Sequence, residues 1–452
     1  MNPWYNEAVF YHIYPLGFCG APKSNDFKAE PVERLEKIYD WIDHIKYLGV
    51  NSIYFGPIFE STSHGYDTTD YNVVDRRLGN KDTFIKLVNT LHKNNIRVVI
   101  DGVFNHVGRD FFAFKDILLK GQKSKYCNWF HNLNFNQKSP LNDPFSYDTW
   151  NGYYNLVKLN LSNQEVKEYL FEAIKMWVKE LDIDGLRLDC ADCLDFNFIT
   201  ELSSLCKKTK SDFWLMGEII HGDYNRWANT TMLDSVTNYE CYKGLYSSHN
   251  DKNYFEIAYS FNRQFGDNFG IYRNIYLYNF LDNHDVNRIA STLKCSDYIY
   301  PLHVLLFTMP GIPSIYYGSE WGIKGTKNIS DDDLRPELDL TSISSSNSNK
   351  KLIELIHELA KIRKNSKALK HGKYFQIRVL NEQFAYARIL EEDCIIIIVN
   401  LSEKASSLEI DIPVKGVKVL DILNNKETFK IENNKCLIPD LLPCWGRILK
   451  VE

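Results

Sequence analysis

Eight short apolar runs, most followed by a longer stretch with helical apolar spacing, recur between Val9 and Tyr316, and this alternation limits the possible folds more than any other feature. Strands are predicted at 9–14, 52–55, 98–101, 185–189, 213–218, 235–238, 276–281 and 313–316, and helices at 32–48, 82–94, 164–181, 198–207, 301–308 and 350–364. In the first of these helices Leu35, Ile38, Trp41, Ile42, Ile45 and Leu48 form one apolar face. Runs such as Val98-Val99-Ile100 are apolar at consecutive positions, as parallel strands covered on both faces must be. The fold class is therefore α/β, a (β/α)₈ TIM barrel. An open doubly wound sheet would place a glycine-rich phosphate turn after the first strand, and Pro15-Leu16-Gly17-Phe18-Cys19-Gly20 lacks that spacing.

Two segments break the rhythm. The aromatic- and Asn-rich stretch after the third strand is too long for an ordinary connection and reads as an inserted minidomain, 107–156, within a barrel domain spanning 1–370. Beyond it short strands follow one another without helices, at 374–379, 384–389, 394–400, 407–410, 418–420 and 436–438. They predict a C-terminal antiparallel β-sandwich domain over 371–452. The polar tract 341–349 reads as a solvated loop.

Composition excludes several classes of function. With 44% hydrophobic and 25% charged residues and a net charge of -5, the chain has no basic patch to neutralise phosphates, so nucleic acid is not an expected partner. The most apolar stretch, 304–317, is broken by Pro310, Gly311 and Pro313 and is too short to span a membrane. No cationic, apolar, cleavable leader is recognisable, which makes a cytoplasmic location the expectation. Ten scattered cysteines fit reduced thiols. Cys190 and Cys193 form a C-x-x-C, but no second pair or histidine nearby in the sequence completes a metal set, and a metal or redox role is not expected of them.

Barrel active sites sit at the C-terminal ends of the strands, and four strand ends carry polar clusters. They are Asp101-Gly102-Val103-Phe104-Asn105-His106, Arg187-Leu188-Asp189, Gly217-Glu218 and Asn283-His284-Asp285. One acidic residue after a strand is usually a cap or turn former. Several on one rim, with two histidines and an arginine and no metal-ligand spacing, point to acetal cleavage, in which one carboxyl protonates the leaving oxygen and another acts beneath the ring.

In these motifs the chain resembles the α-amylase family of glycoside hydrolases, family 13. Supporting matches are Gly65-Tyr66-Asp67-Thr68-Thr69-Asp70-Tyr71, Lys158-Leu159-Asn160 and the run from Gly311 to Glu320. The Asp331-Asp332-Asp333-Leu334-Arg335 stretch is similar to the neopullulanase, cyclomaltodextrinase and maltogenic amylase group, although the N-terminal domain of that group is not seen ahead of the first strand. The resemblance implies that Asp189 is the nucleophile, Glu218 the general acid/base and Asp285 the carboxylate that grips the ring hydroxyls. It further implies that Asp101 braces Arg187, that His106 and His284 bind sugar hydroxyls, and that Tyr66 stacks under the ring. Asp67 and Arg335 are expected at the far, non-reducing sugar, with Asp331 also binding substrate. Asn105 matches a calcium ligand of α-amylases, so calcium is a possible but not a required cofactor. Asp192 and Cys193 stand where secreted α-amylases carry Lys-His, which disfavours a long-starch enzyme. The expected activity is retaining hydrolysis of α-1,4 linkages in malto-oligosaccharides or cyclodextrin-like α-glucans, by a monomer or homodimer. A 4-α-glucanotransferase and an inactive sugar-binding relative are the alternatives.

Overall fold

The computed structural model describes residues 3–328, 330–345 and 349–452. The eight predicted runs form eight parallel strands: β1 (Phe10–Ile13), β2 (Ser52–Phe55), β3 (Arg97–Gly102), β4 (Gly185–Leu188), β5 (Trp214–Gly217), β6 (Ser235–Val236), β7 (Tyr278–Phe280) and β8 (Ile312–Tyr316). Pairing runs β6-β5-β4-β3-β2-β1-β8-β7. A parallel bridge between Thr237 and Tyr278 joins the two ends, so the sheet closes into the expected barrel. Apart from the half-buried Arg97, every residue of these strands is buried, which is why their apolar runs do not alternate.

Side chains still alternate between the barrel interior and the helix layer, and that period of two positions the site. Phe10, Tyr54, Val99, Trp214, Met216 and Tyr278 belong to one apolar cluster, with Phe10 stacked on Trp214 at 4.9 Å between ring centroids. Gly185 makes room for it, because a Cβ there would sit 2.7 Å from the Trp214 carbonyl oxygen. Two residues beyond Val99 and Gly185 on the same faces come Asp101 and Arg187, which are register partners across β3 and β4. Two and four residues beyond Arg187 and Trp214 come Asp189 and Glu218.

Some expectations are corrected. The first predicted helix is two elements, a 3-10 helix Arg34–Trp41 and an α-helix Ile42–Tyr47. Leu35, Ile38 and Trp41 recur every three residues, which suits three residues per turn, and all three are buried. The tract read as a loop contains a helix, Leu340–Ser345, whose start is held by Asp339 Oδ1 accepting from Ser342 N at 2.8 Å. Residues 346–348 of that tract lie outside the described residues. Two helices not predicted, Tyr239–Asn250 and Tyr254–Phe265, follow β6.

Over the rim after β3, strands His106–Gly108, Tyr153–Lys158 and Thr149–Trp150 form a small antiparallel sheet in that order. With helix Phe112–Lys120 it closes on Phe114, Phe130, Phe145 and Tyr147, and Arg109 pairs with Asp143 at 2.6 Å. At the C-terminal end a six-stranded antiparallel sheet runs Lys373–Val379, Gln383–Leu390, Asp393–Asn400, Trp445–Val451, Lys418–Asp421, Thr428–Lys430. A two-stranded sheet, Ser406–Asp411 with Lys435–Leu441, packs on it through Ile396, Ile398, Leu408, Ile410, Ile438 and Leu449. Strand Trp445–Val451 was not predicted, yet it is central. No helix among the described residues is long and apolar enough to cross a membrane.

Candidate active site

Arg187 organises the rim. Its guanidinium, 3% exposed, donates through Nη1 to Asp101 Oδ1 and Asp189 Oδ1, each at 2.8 Å, and pairs through Nη2 with Glu218 Oε2 at 2.8 Å. The register opposite Asp101 and the two-residue step to Asp189 make the first two contacts unavoidable; β5, paired to β4, delivers the third. One buried cation thus gathers carboxyls from three strand ends.

Each carboxyl is held further. Asp101 Oδ2 accepts from Tyr54 Oη at 2.9 Å and Tyr66 Oη at 3.0 Å. Glu218 Oε2 accepts from Cys190 N at 3.0 Å, and Oε1 faces Tyr239 Oη at 3.5 Å. Asp285, at the end of β7, pairs with His284 Nε2 and with Arg335 Nη2, each at 2.9 Å. His284 also contacts the Tyr66 hydroxyl and stacks on its ring, with 5.5 Å between centroids. The three carboxyls singled out in the sequence therefore belong to one network, Asp189 and Glu218 through Arg187 and Asp285 through His284, Tyr66 and Asp101.

Too little positive charge serves these acids for all to ionise. Burial, reinforced by the negative charges of Asp189 and Asp285 and opposed by Arg187, pushes the Glu218 carboxyl up to about 8. Burial works against ionisation of Asp285 too, but His284, Arg335 and Arg187 outweigh it and hold that carboxyl well below its usual range. Two acids on one rim are thus driven in opposite directions, the arrangement that separates a proton donor from a fixed negative charge. A reaction that needs protonated Glu218 loses rate as pH rises through its folded value. The alkaline limb of kcat/KM is accordingly expected near pH 8, and a profile flat to pH 10 would contradict this assignment.

Buried imidazoles complete the lining. His12 Nε2, His106 Nε2 and His284 Nδ1 have no partner among the described residues. The His12 and His284 rings lie 5.0 Å apart, and burial holds His12 and His106 below the ordinary histidine value, so both are neutral near pH 7. Unspent ring nitrogens in a buried rim suit a ligand dense in hydroxyls.

The remaining predicted residues are placed less uniformly. Arg335 does not stand free: it spans Asp285 and Asp331 at 2.9 Å each, donates through Nε to the His284 carbonyl and lies over the Tyr14 ring at 4.6 Å. Asp331 serves as the outer counter-charge of that arginine. Asp67 is engaged within its own loop, accepting from Ser63 N at 3.1 Å and Ser63 Oγ at 2.6 Å. For Asn105, matched above to a calcium ligand, the side-chain nitrogen meets His106 Nδ1 at 3.2 Å and the backbone carbonyl accepts from Leu159 N at 2.9 Å. Tyr54, Tyr239 and Cys190 were not singled out for the site. Only Cys190, adjacent to Asp189, carried a local signal.

A family profile described as alpha amylase, catalytic domain, matches residues 12–351. A cyclomaltodextrinase of Thermoanaerobacter pseudethanolicus is 32% identical over 97% of this chain and 77% of its own. A maltogenic alpha-amylase of Bacillus acidopullulyticus is 33% identical over 95% of this chain and 77% of its own. A solved cyclomaltodextrinase structure superposes with a TM-score of 0.88 at 28% identity, covering 100% of this chain and 79% of that one. The closed barrel, the order of the rim motifs and these matches converge: the chain belongs to the α-amylase family of glycoside hydrolases.

Proposed function

We propose that the protein is a retaining α-glucoside hydrolase that cleaves α-1,4 linkages of short malto-oligosaccharides and cyclodextrin-like α-glucans. The observation that carries this reading is the sharing of Arg187 by Asp189 and a Glu218 pushed up to about 8. Glu218 donates its proton to the glycosidic oxygen as that bond breaks, and the Asp189 carboxylate attacks the anomeric carbon to form a glycosyl ester. Glu218, now a carboxylate, takes a proton from the incoming water. The water oxygen displaces Asp189, and the anomeric configuration is restored after two inversions. Asp285, held low by His284 and Arg335, supplies fixed negative charge beside the developing oxocarbenium ion and accepts from ring hydroxyls. His106 and His284 hydrogen-bond the same sugar through their unpartnered nitrogens. The substrate class is supported by relatives named for cyclomaltodextrin and for maltose release.

Time-resolved proton NMR of maltotriose and β-cyclodextrin digests tests this reading. The first product is expected as the α-anomer, with chains shorter than the substrate dominating. Initial β-anomer would exclude the covalent route. Products longer than maltotriose from the outset would assign glucan transfer instead. Pullulan and isomaltose in parallel read the linkage preference, and faster cleavage of isomaltose than of maltotriose would overturn it.

A further inference from the structure

Cys190 and Cys193 lack a completing ligand in their sequence neighbourhood, but the fold brings one from the strand that follows β3, His106–Gly108. A ring nitrogen of His106, a carboxylate oxygen of Asp189 and Cys190 Sγ all lie within 4.8 Å of one another. All three residues are buried, at 1%, 8% and 7% exposure. Cys190 Sγ is 3.4 Å from Asp189 Oδ2, close to the roughly 3.3 to 3.7 Å edge of a tetrahedron with zinc-like bond lengths. His106 Nε2 is buried and has no partner, while Asn105 contacts the opposite ring nitrogen and fixes the plane. Arg187 occupies Asp189 Oδ1 and leaves Oδ2 toward the sulfur, so a cation bound there need not break that ion pair. Cys190 adopts a left-handed backbone, φ 36°, and donates its N–H to Glu218, which fixes the direction of its side chain.

The donors are one imidazole nitrogen, one carboxylate and one thiol. Zinc-class ions accept that mixture, whereas calcium and magnesium require oxygen shells.

We propose that His106, Asp189 and Cys190 form an inhibitory binding site for a thiophilic divalent cation of the zinc class. On binding, the Cys190 thiol proton passes to solvent, the thiolate, the His106 nitrogen and Asp189 Oδ2 bond the ion, and water fills the fourth position. Asp189 is then withdrawn from attack on sugar. The inhibition, though not the binding, rests on the role proposed above for Asp189.

Calorimetric titration of zinc chloride into the full chain, with a phosphine reductant present, tests the site. One ion per chain is expected. Cobalt(II) added instead is expected to give a thiolate-to-metal charge-transfer band in the near ultraviolet and the intense visible bands of a four-coordinate ion. Both Cys190→Ala and His106→Gln are expected to weaken zinc binding more than about tenfold, and Cys190→Ala also to abolish the charge-transfer band. Cys193→Ala is expected to keep zinc affinity within about threefold, since the ligands remain. Should Cys190→Ala fail to fold, as judged by near-UV circular dichroism, His106→Gln decides alone. Unchanged zinc affinity in a folded Cys190→Ala or His106→Gln would overturn the site, as would equal losses in Cys190→Ala and Cys193→Ala, which would mark a simple C-x-x-C. Zinc is further expected to raise the apparent KM for maltotriose with kcat unchanged, and magnesium not to. Binding by calorimetry in a protein that hydrolyses no glucan without metal would leave the site standing and remove the proposed function.

Discussion

Asp189→Asn is expected to lower kcat/KM on maltotriose by at least about 10⁴-fold, roughly 5.4 kcal/mol of transition-state stabilisation, with the barrel intact. The amide has nearly the shape of the carboxylate but neither its nucleophilicity nor its charge, so both the attack and the electrostatic support of the oxocarbenium ion are lost. Folding should survive because Arg187 keeps Asp101 Oδ1 and Glu218 Oε2, each at 2.8 Å, and is not left as an orphaned buried cation. The substitution also removes one of the negative neighbours that push Glu218 upward, so any residual activity should lose its alkaline limb below the wild-type position. Initial rates, near-UV circular dichroism and the thermal midpoint check all three statements. Activity within tenfold of wild type in a folded variant would remove Asp189 from the reaction.

The barrel was legible because its strands are short, buried on both faces and separated by helical periodicity, so each reads as a brief apolar run wherever its ends fall. Residues at strand ends inherit their direction from the pleat. The step from Arg187 to Asp189 therefore already places both on one side of β4. What the residues alone could not show is which strands are neighbours in register; that Asp101 braces Arg187 was supplied by the family resemblance, not by the spacing. The Asp101–Arg187 contact, on which the rim depends, joins residues 86 apart and exists because β3 and β4 pair at that register. Tyr54 and Tyr239 were overlooked for the same reason, since nothing around them in the sequence differs from an ordinary core tyrosine.

Other misses have local causes. Helices Tyr239–Asn250 and Tyr254–Phe265 are rich in Tyr, Phe, Ser, Cys and Asn, residues of modest helix propensity, and only the asparagine ahead of each marks the start. Asn238 accepts from Cys241 N and Asn253 from Phe255 N, so those caps were the available signal. Strand Trp445–Val451 follows a Pro-Cys turn close to the chain end, where a peripheral tail is the natural reading. It is instead paired on one edge by Asp393–Asn400 and on the other by Lys418–Asp421. Arg335 was noticed as part of a motif, but its ion pairs with Asp285 and Asp331 were not, because they too depend on which loops the barrel brings together.

Arg187→Met carries the second large effect, and its pH dependence separates it from generic core damage. Removing the guanidinium leaves Asp101, Asp189 and Glu218 buried without their shared cation, which is expected to cost about 3 to 5 kcal/mol of stability near neutral pH. Burial already raises the Asp101 and Glu218 carboxyls in the native protein, with Arg187 opposing it in both. Without that opposing charge they rise further, so the folded variant binds more protons than its unfolded chain. Its stability must then fall as pH increases from the unfolded carboxyl range, about 4, through the elevated folded values. Relative to wild type, the deficit should accordingly be smaller at pH 5 than at pH 8, and urea midpoints at the two values measure it. A methionine that merely packed badly would give the same deficit at both, and that result would mean Arg187 does not hold the three acids by charge. Hydrolysis should be lost at either pH, because Asp189 and Glu218 no longer share the cation that sets their relative position, and recovery of stability in acid without recovery of rate would separate the two functions of this arginine.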